Sequence, residues 1–243
     1  MFIKHPSTKA RMQTLFIHAK SDQDVTLTSA AVKGLKGKVV GIVTSIQLLH
    51  AIKKVQAQLP KSIVAGQVLG CNSYNAENIK SKVDCFLFVG SGEFHPIQVA
   101  TRTGKPTYVF NPATQEFGEL SQKTIDSYLK RKQGSILKFL HAKNVGVIVS
   151  TKIGQKNFLR AMELEKRTDK KYYVFVSDTL NFGEMENFPF IDCWLNTACP
   201  RIADEKLGIV NINDLMEANV LSFPASGYEI PIWMSKKGMK KVD

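Results

Sequence analysis

Four cysteines, Cys71, Cys85, Cys193 and Cys199, are the side chains in this sequence best suited to metal or redox chemistry. No two of them form a C-x-x-C pair, which argues against a zinc ribbon or a thioredoxin-like motif. Cys85 and Cys193 fall inside the apolar runs Val83-Asp84-Cys85-Phe86-Leu87 and Ile191-Asp192-Cys193-Trp194-Leu195. A thiol packs there as a small apolar group, so both read as core residues. Cys71 and Cys199 differ. Cys71 follows an apolar run through Gly70, and Cys199 follows one through Asn196-Thr197-Ala198 before Pro200, which stops any strand. Both are expected just past the carboxyl ends of strands, where open α/β sheets bind ligands. For reduced thiols in such loops, metal binding, catalysis and plain burial all remain open.

Two further segments offer polar or small groups. Gly90-Ser91-Gly92-Glu93-Phe94-His95-Pro96 combines glycines, which let backbone approach a ligand closely, with polar side chains. A tight turn with a capping histidine fits it equally. Lys152-Ile153-Gly154-Gln155 reads either as a ligand-contacting loop or as an ordinary strand-to-helix turn.

The elements that must position these residues alternate between strand and helix. Apolar runs at 14–19, 38–44, 62–69, 83–89, 106–110, 145–150, 172–177 and 191–195 read as strands. Helical patterns at 27–35, 46–58, 97–102, 120–143 and 156–166 separate most of them. Parallel strands need such crossovers, so the class is α/β. Gly41-Ile42-Val43-Thr44 resembles Gly146-Val147-Ile148-Val149, and the Cys85 run resembles the Cys193 run. The sequence therefore predicts two similar small domains, 1–119 and 144–243, each a parallel sheet flanked by helices and joined by a helix over 120–143. In that repeat Ser91 is the counterpart of Cys199.

Composition bounds the partners. A hydrophobic fraction of 44% and a charged fraction of 22% suit a soluble globular protein. Apolar runs are strand-sized and the opening residues lack a signal-peptide pattern, so a cytoplasmic chain without membrane contact is expected. The net charge of +12 is compatible with nucleic acid, an acidic protein partner or plain lysine usage. Aromatics do not interleave with the lysines as on a single-strand binding surface, so direct nucleic-acid contact is not expected.

Three ordered segments carry a more specific signal: Gln67-Val68-Leu69-Gly70-Cys71, Phe88 to Pro96, and Asp192-Cys193-Trp194-Leu195-Asn196-Thr197-Ala198-Cys199-Pro200-Arg201. Together they resemble the diphthamide synthase family, and the resemblance covers nearly the whole chain. It implies a [4Fe–4S] cluster held by one loop cysteine from each of three α/β domains, with Cys71 and Cys199 as two of those ligands. It also implies that S-adenosylmethionine gives up a 3-amino-3-carboxypropyl radical, which adds to a histidine of translation elongation factor 2. Ser91, Gly92, His95, Gly154 and Gln155 are the residues expected to meet the cofactor's amino acid portion. The family's first domain, with its cysteine, has no counterpart here, which suggests a split enzyme completed by a separate chain; family members also act as dimers. Cys193 is poorly placed to replace the third ligand, being inside a strand six residues from Cys199. The competing readings are a non-catalytic accessory subunit of the same pathway and a two-domain small-molecule binding protein.

Overall fold

The computed structural model of the chain describes residues 17–205 and 208–223. One sheet takes β1 (Val40–Thr44), β2 (Ser62–Gln67), β3 (Cys85–Val89), β4 (Thr107–Asn111) and β5 (Glu116–Glu119). The second takes β6 (Asn144–Ser150), β7 (Lys171–Ser177), β8 (Cys193–Asn196) and β9 (Ile209–Asn211). Their orders are β2-β1-β3-β4-β5 and β7-β6-β8-β9. The first four strands of each order correspond, so one winding occurs twice. β1 and β3 are buried along their whole length. That is why Val-Gly-Ile-Val-Thr and Cys-Phe-Leu-Phe-Val read as continuous rather than alternating patterns: central parallel strands are covered on both faces.

The repeat extends to side chains. Gly41 pairs with Phe86 across β1 and β3, and Gly146 pairs with Trp194 across β6 and β8. A Cβ on Gly41 would lie 2.6 Å from the Phe86 ring, and one on Gly146 would lie 2.5 Å from the Trp194 ring. Each aromatic thus lies over a glycine at the same point of the winding. Likewise Asp84 accepts a hydrogen bond from Val39 N at 2.7 Å, and Asp192 accepts one from Asn144 N at 2.8 Å. Both carboxylates tie the entry of the central strand to its neighbour.

The covering helices are α1 (Ser29–Gly34), α2 (Ile52–Ala57), α3 (Tyr74–Glu77), α4 (Phe94–Thr103), α5 (Gln122–His141), α6 (Phe158–Glu165), α7 (Ile202–Glu205) and α8 (Ile212–Glu217). Ser121 starts α5 by accepting from Thr124 N, which satisfies one donor of the first turn. α5 buries Phe139 in the core of the second sheet and packs on α4 of the first. Charges tie these elements together. Lys132 on α5 reaches Asp214 at 2.9 Å and Glu217 at 2.6 Å on α8, and Arg102 on α4 pairs with the same Glu217.

The α/β class and the two helix-flanked sheets match the sequence expectation. The wholly parallel first sheet does not: β5 runs antiparallel to β4, returning after a short turn. The helix expected at 46–58 divides into a 3₁₀ turn, Ile46–Ala51, followed by α2. Of the strand expected at 14–19, residues 14–16 lie outside the described residues and 17–19 are irregular. No helix among the described residues is long and apolar enough to cross a membrane.

Candidate metal centre

Parallel strands send all their following loops to one edge of the sheet, and both loop thiols leave such edges. After β2 the chain folds tightly back. Leu69 and Asn72 exchange backbone hydrogen bonds of 2.9 and 3.1 Å, which puts Cys71 at the third position of a four-residue turn. The turn is anchored on both sides. The Asn72 side chain accepts from Tyr74 N at 3.0 Å, and buried Asn75 donates to the Gln67 carbonyl at 2.9 Å. Gly70 is required by contact rather than by backbone angle: a Cβ there would fall 1.7 Å from a Phe94 ring atom.

The Cys199 loop is held by a buried amide. Asn196, at the end of β8, is 1% exposed. Its Oδ1 accepts from Ala198 N at 2.9 Å, and its Nδ2 donates to the Cys199 carbonyl and to Asn211 Oδ1, both at 2.8 Å. Asn157, ahead of α6, donates to the Thr197 carbonyl in the same loop. Ile202 N then donates to the Cys199 carbonyl at 3.0 Å, starting α7. Three asparagines fix the path of four residues. The sequence reading did not assign Asn196 or Asn157; a polar residue closing an otherwise apolar strand was the available signal for Asn196.

The two loops converge. The Phe94 ring that lies on Gly70 also receives the Arg201 guanidinium, 5.1 Å from its centroid. Cys71 and Cys199 are near enough that charge on one is felt by the other. Burial first, and then the Cys199 thiolate, push the Cys71 thiol up to about 12. Both side chains are half-buried. Cys85 and Cys193 are buried in the two cores, as expected. Cys193 opens β8, and its thiol, raised to about 11 by burial, points toward the Gly208 carbonyl at 3.9 Å. It lies at the amino edge of its sheet, whereas Cys199 lies past the carboxyl edge. That separates it from the converging pair.

The remaining candidate residues sit on loops, or for His95 in the helix that follows, at the carboxyl edges of β3 and β6. Ser91 and Gly92 are exposed in the turn after β3, with Gly92 at a φ of 76° that favours glycine. His95 lies in the first turn of α4, its ring stacked on Phe88 at 5.5 Å. Burial, then the positive charge of Arg201, hold its pKa below the ordinary 6.5. Gly154 has a φ of 82°, and Gln155 is half-buried with its N–H on the Lys152 carbonyl at 3.1 Å. Lys152–Gln155 therefore forms a turn, a geometry compatible with both readings of this segment. A cavity of about 270 Å³ borders Phe94 and Pro200 and runs between α4 and α5, past Tyr128 and Lys138.

Among the described residues, no group of three or more His, Cys, Asp or Glu side chains could hold a metal ion. What this chain brings to the junction is a thiol pair. The pair fits part of an iron–sulfur site. Thiolates are the ligands such clusters take, and a Cys71 thiol whose ionisation is opposed by burial and by its neighbour's negative charge needs a cationic centre to hold it deprotonated.

These features define a doubly wound α/β protein with a thiol pair at its carboxyl edges. The profile of the family described as "Putative diphthamide synthesis protein" matches residues 3–206, and the chain belongs to this family. Its similarity to the 2-(3-amino-3-carboxypropyl)histidine synthase of Methanocaldococcus jannaschii is 33% identity over 68% of this chain and 46% of that protein. For the Pyrococcus horikoshii protein of the same description the figures are 30%, 71% and 53%. The chain thus spans about half the length of these curated relatives. The crystal structure of Dph2 from Pyrococcus horikoshii with a 4Fe-4S cluster superposes with a TM-score of 0.64 at 25% identity, covering 81% of this chain and 64% of that one.

Proposed function

We propose that this chain supplies two of three thiolates, from Cys71 and Cys199, to a [4Fe–4S] cluster in an enzyme that transfers a 3-amino-3-carboxypropyl group. The donor is S-adenosylmethionine and the acceptor is a histidine of translation elongation factor 2. The observation that carries this reading is the convergence of Cys71 and Cys199 on one junction between the sheets. When bound, such a cluster supplies an electron and an iron position left open for the sulfonium cofactor.

The chain's own residues hold and orient. The Leu69–Asn72 turn and the Asn196 amide fix where the two sulfurs sit. Ser91, Gly92, His95, Gly154 and Gln155 receive the cofactor's amino acid portion. Neutral at pH 7 because of burial and Arg201, His95 can accept a hydrogen bond from an ammonium group without repelling it. The exposed Arg201 adds positive charge at the rim. A third thiolate comes from outside the described residues, and we assign it to a separate chain. That the described residues offer two thiols rather than three also favours a second reading, an accessory subunit that binds but does not catalyse.

Anaerobic reconstitution with iron and sulfide, using this chain mixed with such a partner, tests the proposal. A brown species with about four irons per complex is expected, with a reduced-state electron paramagnetic resonance signal. Cys71→Ser and Cys199→Ser should each abolish it, while Cys85→Ser should not. A mixture that stays colourless rejects the proposal. A cluster that forms but never cleaves S-adenosylmethionine selects the accessory reading.

A further inference from the structure

Ion pairs fix the walls of the cavity between α4 and α5. Arg131 on α5 pairs with Asp204 on α7 at 3.1 Å, and Lys132 pairs with Asp214 on α8 at 2.9 Å. Asn211 ties that far wall to the Cys199 loop. Its Nδ2 donates to Asp214 at 3.3 Å, and its Oδ1 accepts from Asn196 at 2.8 Å. The cavity is therefore preformed, as small-molecule sites usually are. Helix α5 lines it from Tyr128 to Lys138, a rise of about 15 Å, so it is long as well as small. At about 270 Å³ it lies just under the range of pockets for drug-sized ligands. Gly134 stands in the middle of that wall, where glycine costs a helix about 0.5–1 kcal/mol relative to alanine. A Cβ there would meet open space, so no neighbouring side chain demands the glycine.

The lining groups left over from these pairs select the occupant. Both lining carboxylates, Asp204 and Asp214, already face Arg131 and Lys132. Lys138 is the third lining cation, and no carboxylate pairs with it among the described residues. Gly208 makes room for its ammonium, which lies 2.6 Å from where a Cβ would stand. Gly208 precedes β9 at the amino edge of the second sheet, whereas Pro200 follows β8 at the carboxyl edge. The free cation and the apolar surface of Pro200 and Phe94 are thus at opposite ends. Toward the apolar end, the Tyr128 hydroxyl accepts from Gln98 at 2.6 Å, which leaves its own proton to donate. Burial, then the charge of Asp214, raise the Tyr128 pKa and keep that proton in place at neutral pH. We propose that this cavity binds an extended organic anion, with its carboxylate or phosphate group on Lys138 and its apolar body reaching Phe94 and Pro200. The site needs no iron and stands whether or not Cys71 and Cys199 hold a cluster.

The probes are 4-phenylbutyrate and 3-phenylpropyl phosphate, titrated into the isotope-labelled full chain and followed by amide nuclear magnetic resonance shifts. At least one should bind with a Kd of about 1 mM or tighter and move the amides of α5 between Tyr128 and Lys138. The tighter of the two identifies the head group. The neutral 4-phenylbutyramide and the bodiless anion acetate should each bind about tenfold more weakly or worse. Lys138→Gln should weaken the better probe by about tenfold or more. Gly134→Leu, which puts a side chain into the open space, should abolish its binding. Lys130→Gln removes an exposed cation of α5 outside the cavity lining and should leave binding unchanged. Circular dichroism confirms that each variant is folded. Saturation by neither anion overturns the proposal, as do shifts confined to residues away from the cavity. Binding of the amide as tight as that of the acid removes the anion from it, and equal losses in Lys138→Gln and Lys130→Gln reduce it to general attraction by a basic surface.

Discussion

Gly70→Ala should destabilise this chain through a single aromatic ring. At a position whose backbone angle suits any residue, replacing glycine by alanine ordinarily stabilises by about 0.4–1 kcal/mol, because the unfolded chain loses freedom. Gly70 has such an ordinary angle, but its Cβ would lie 1.7, 2.1 and 2.4 Å from three atoms of the Phe94 ring. Nothing can remain there, so either the turn carrying Cys71 shifts or the ring leaves. Overpacking of this kind costs about 1–3 kcal/mol. The ceiling is the value of the ring's own contacts. Phe94 is half-buried, so Phe94→Ala alone should cost about 1–2 kcal/mol, below the range for a fully buried phenylalanine. Independent effects would sum to about 2–5 kcal/mol in the double variant. If the ring is the cause, the double variant should cost no more than Phe94→Ala alone. Urea titrations followed by circular dichroism on the four proteins measure the cycle. Additive losses, or a Gly70→Ala protein as stable as the parent, would refute the claim that this contact seats the Cys71 turn.

Two other predictions follow from the same junction. Asn196→Ala leaves the Ala198 N–H, the Cys199 carbonyl and Asn211 Oδ1 without their buried partner, and should cost about 2–4 kcal/mol. It should also speed alkylation of Cys199 by iodoacetamide, read by peptide mass spectrometry; a change within about 0.5 kcal/mol and an unaltered rate would mean the loop holds itself. His95 should titrate below 6.5 by nuclear magnetic resonance, and Arg201→Gln should raise its midpoint only in part, because burial is the larger cause. Since its folded pKa is depressed, its contribution to stability is complete above pH 6.5 and is lost as pH falls through the folded value. His95→Phe, which keeps a ring over Phe88, should flatten that part of the stability profile; a midpoint at or above 6.5 contradicts the burial argument.

How far the sequence spoke depended on how local each cause was. The central strands were legible because burial on both faces forces unbroken apolar runs, as in Cys85–Val89. The repeat was legible because Gly41 and Gly146 must each admit a ring from the next strand. The strand β5 was not, since Glu-Phe-Gly-Glu has one apolar side chain and gains its order from pairing with β4. Nor was β9, three residues long and defined by its neighbour β8.

The placement of Cys71 and Cys199 past strand ends could be read from Gly70 and Pro200, but not their approach to one another. That depends on how two sheets sit side by side, and the forces setting it lie in long-range contacts. Arg201 meets the ring that Gly70 admits, and Lys132 and Arg102 share Glu217. None of these pairs has a periodicity to betray it. Because Cys71 follows β2 and Cys199 follows β8, the thiols leave non-equivalent strands of the repeated winding. Internal symmetry therefore could not have placed them together either. Packing between the sheets does so, with the ion pairs of Arg102 and Lys132 to α8 joining α4 and α5 to the same helix.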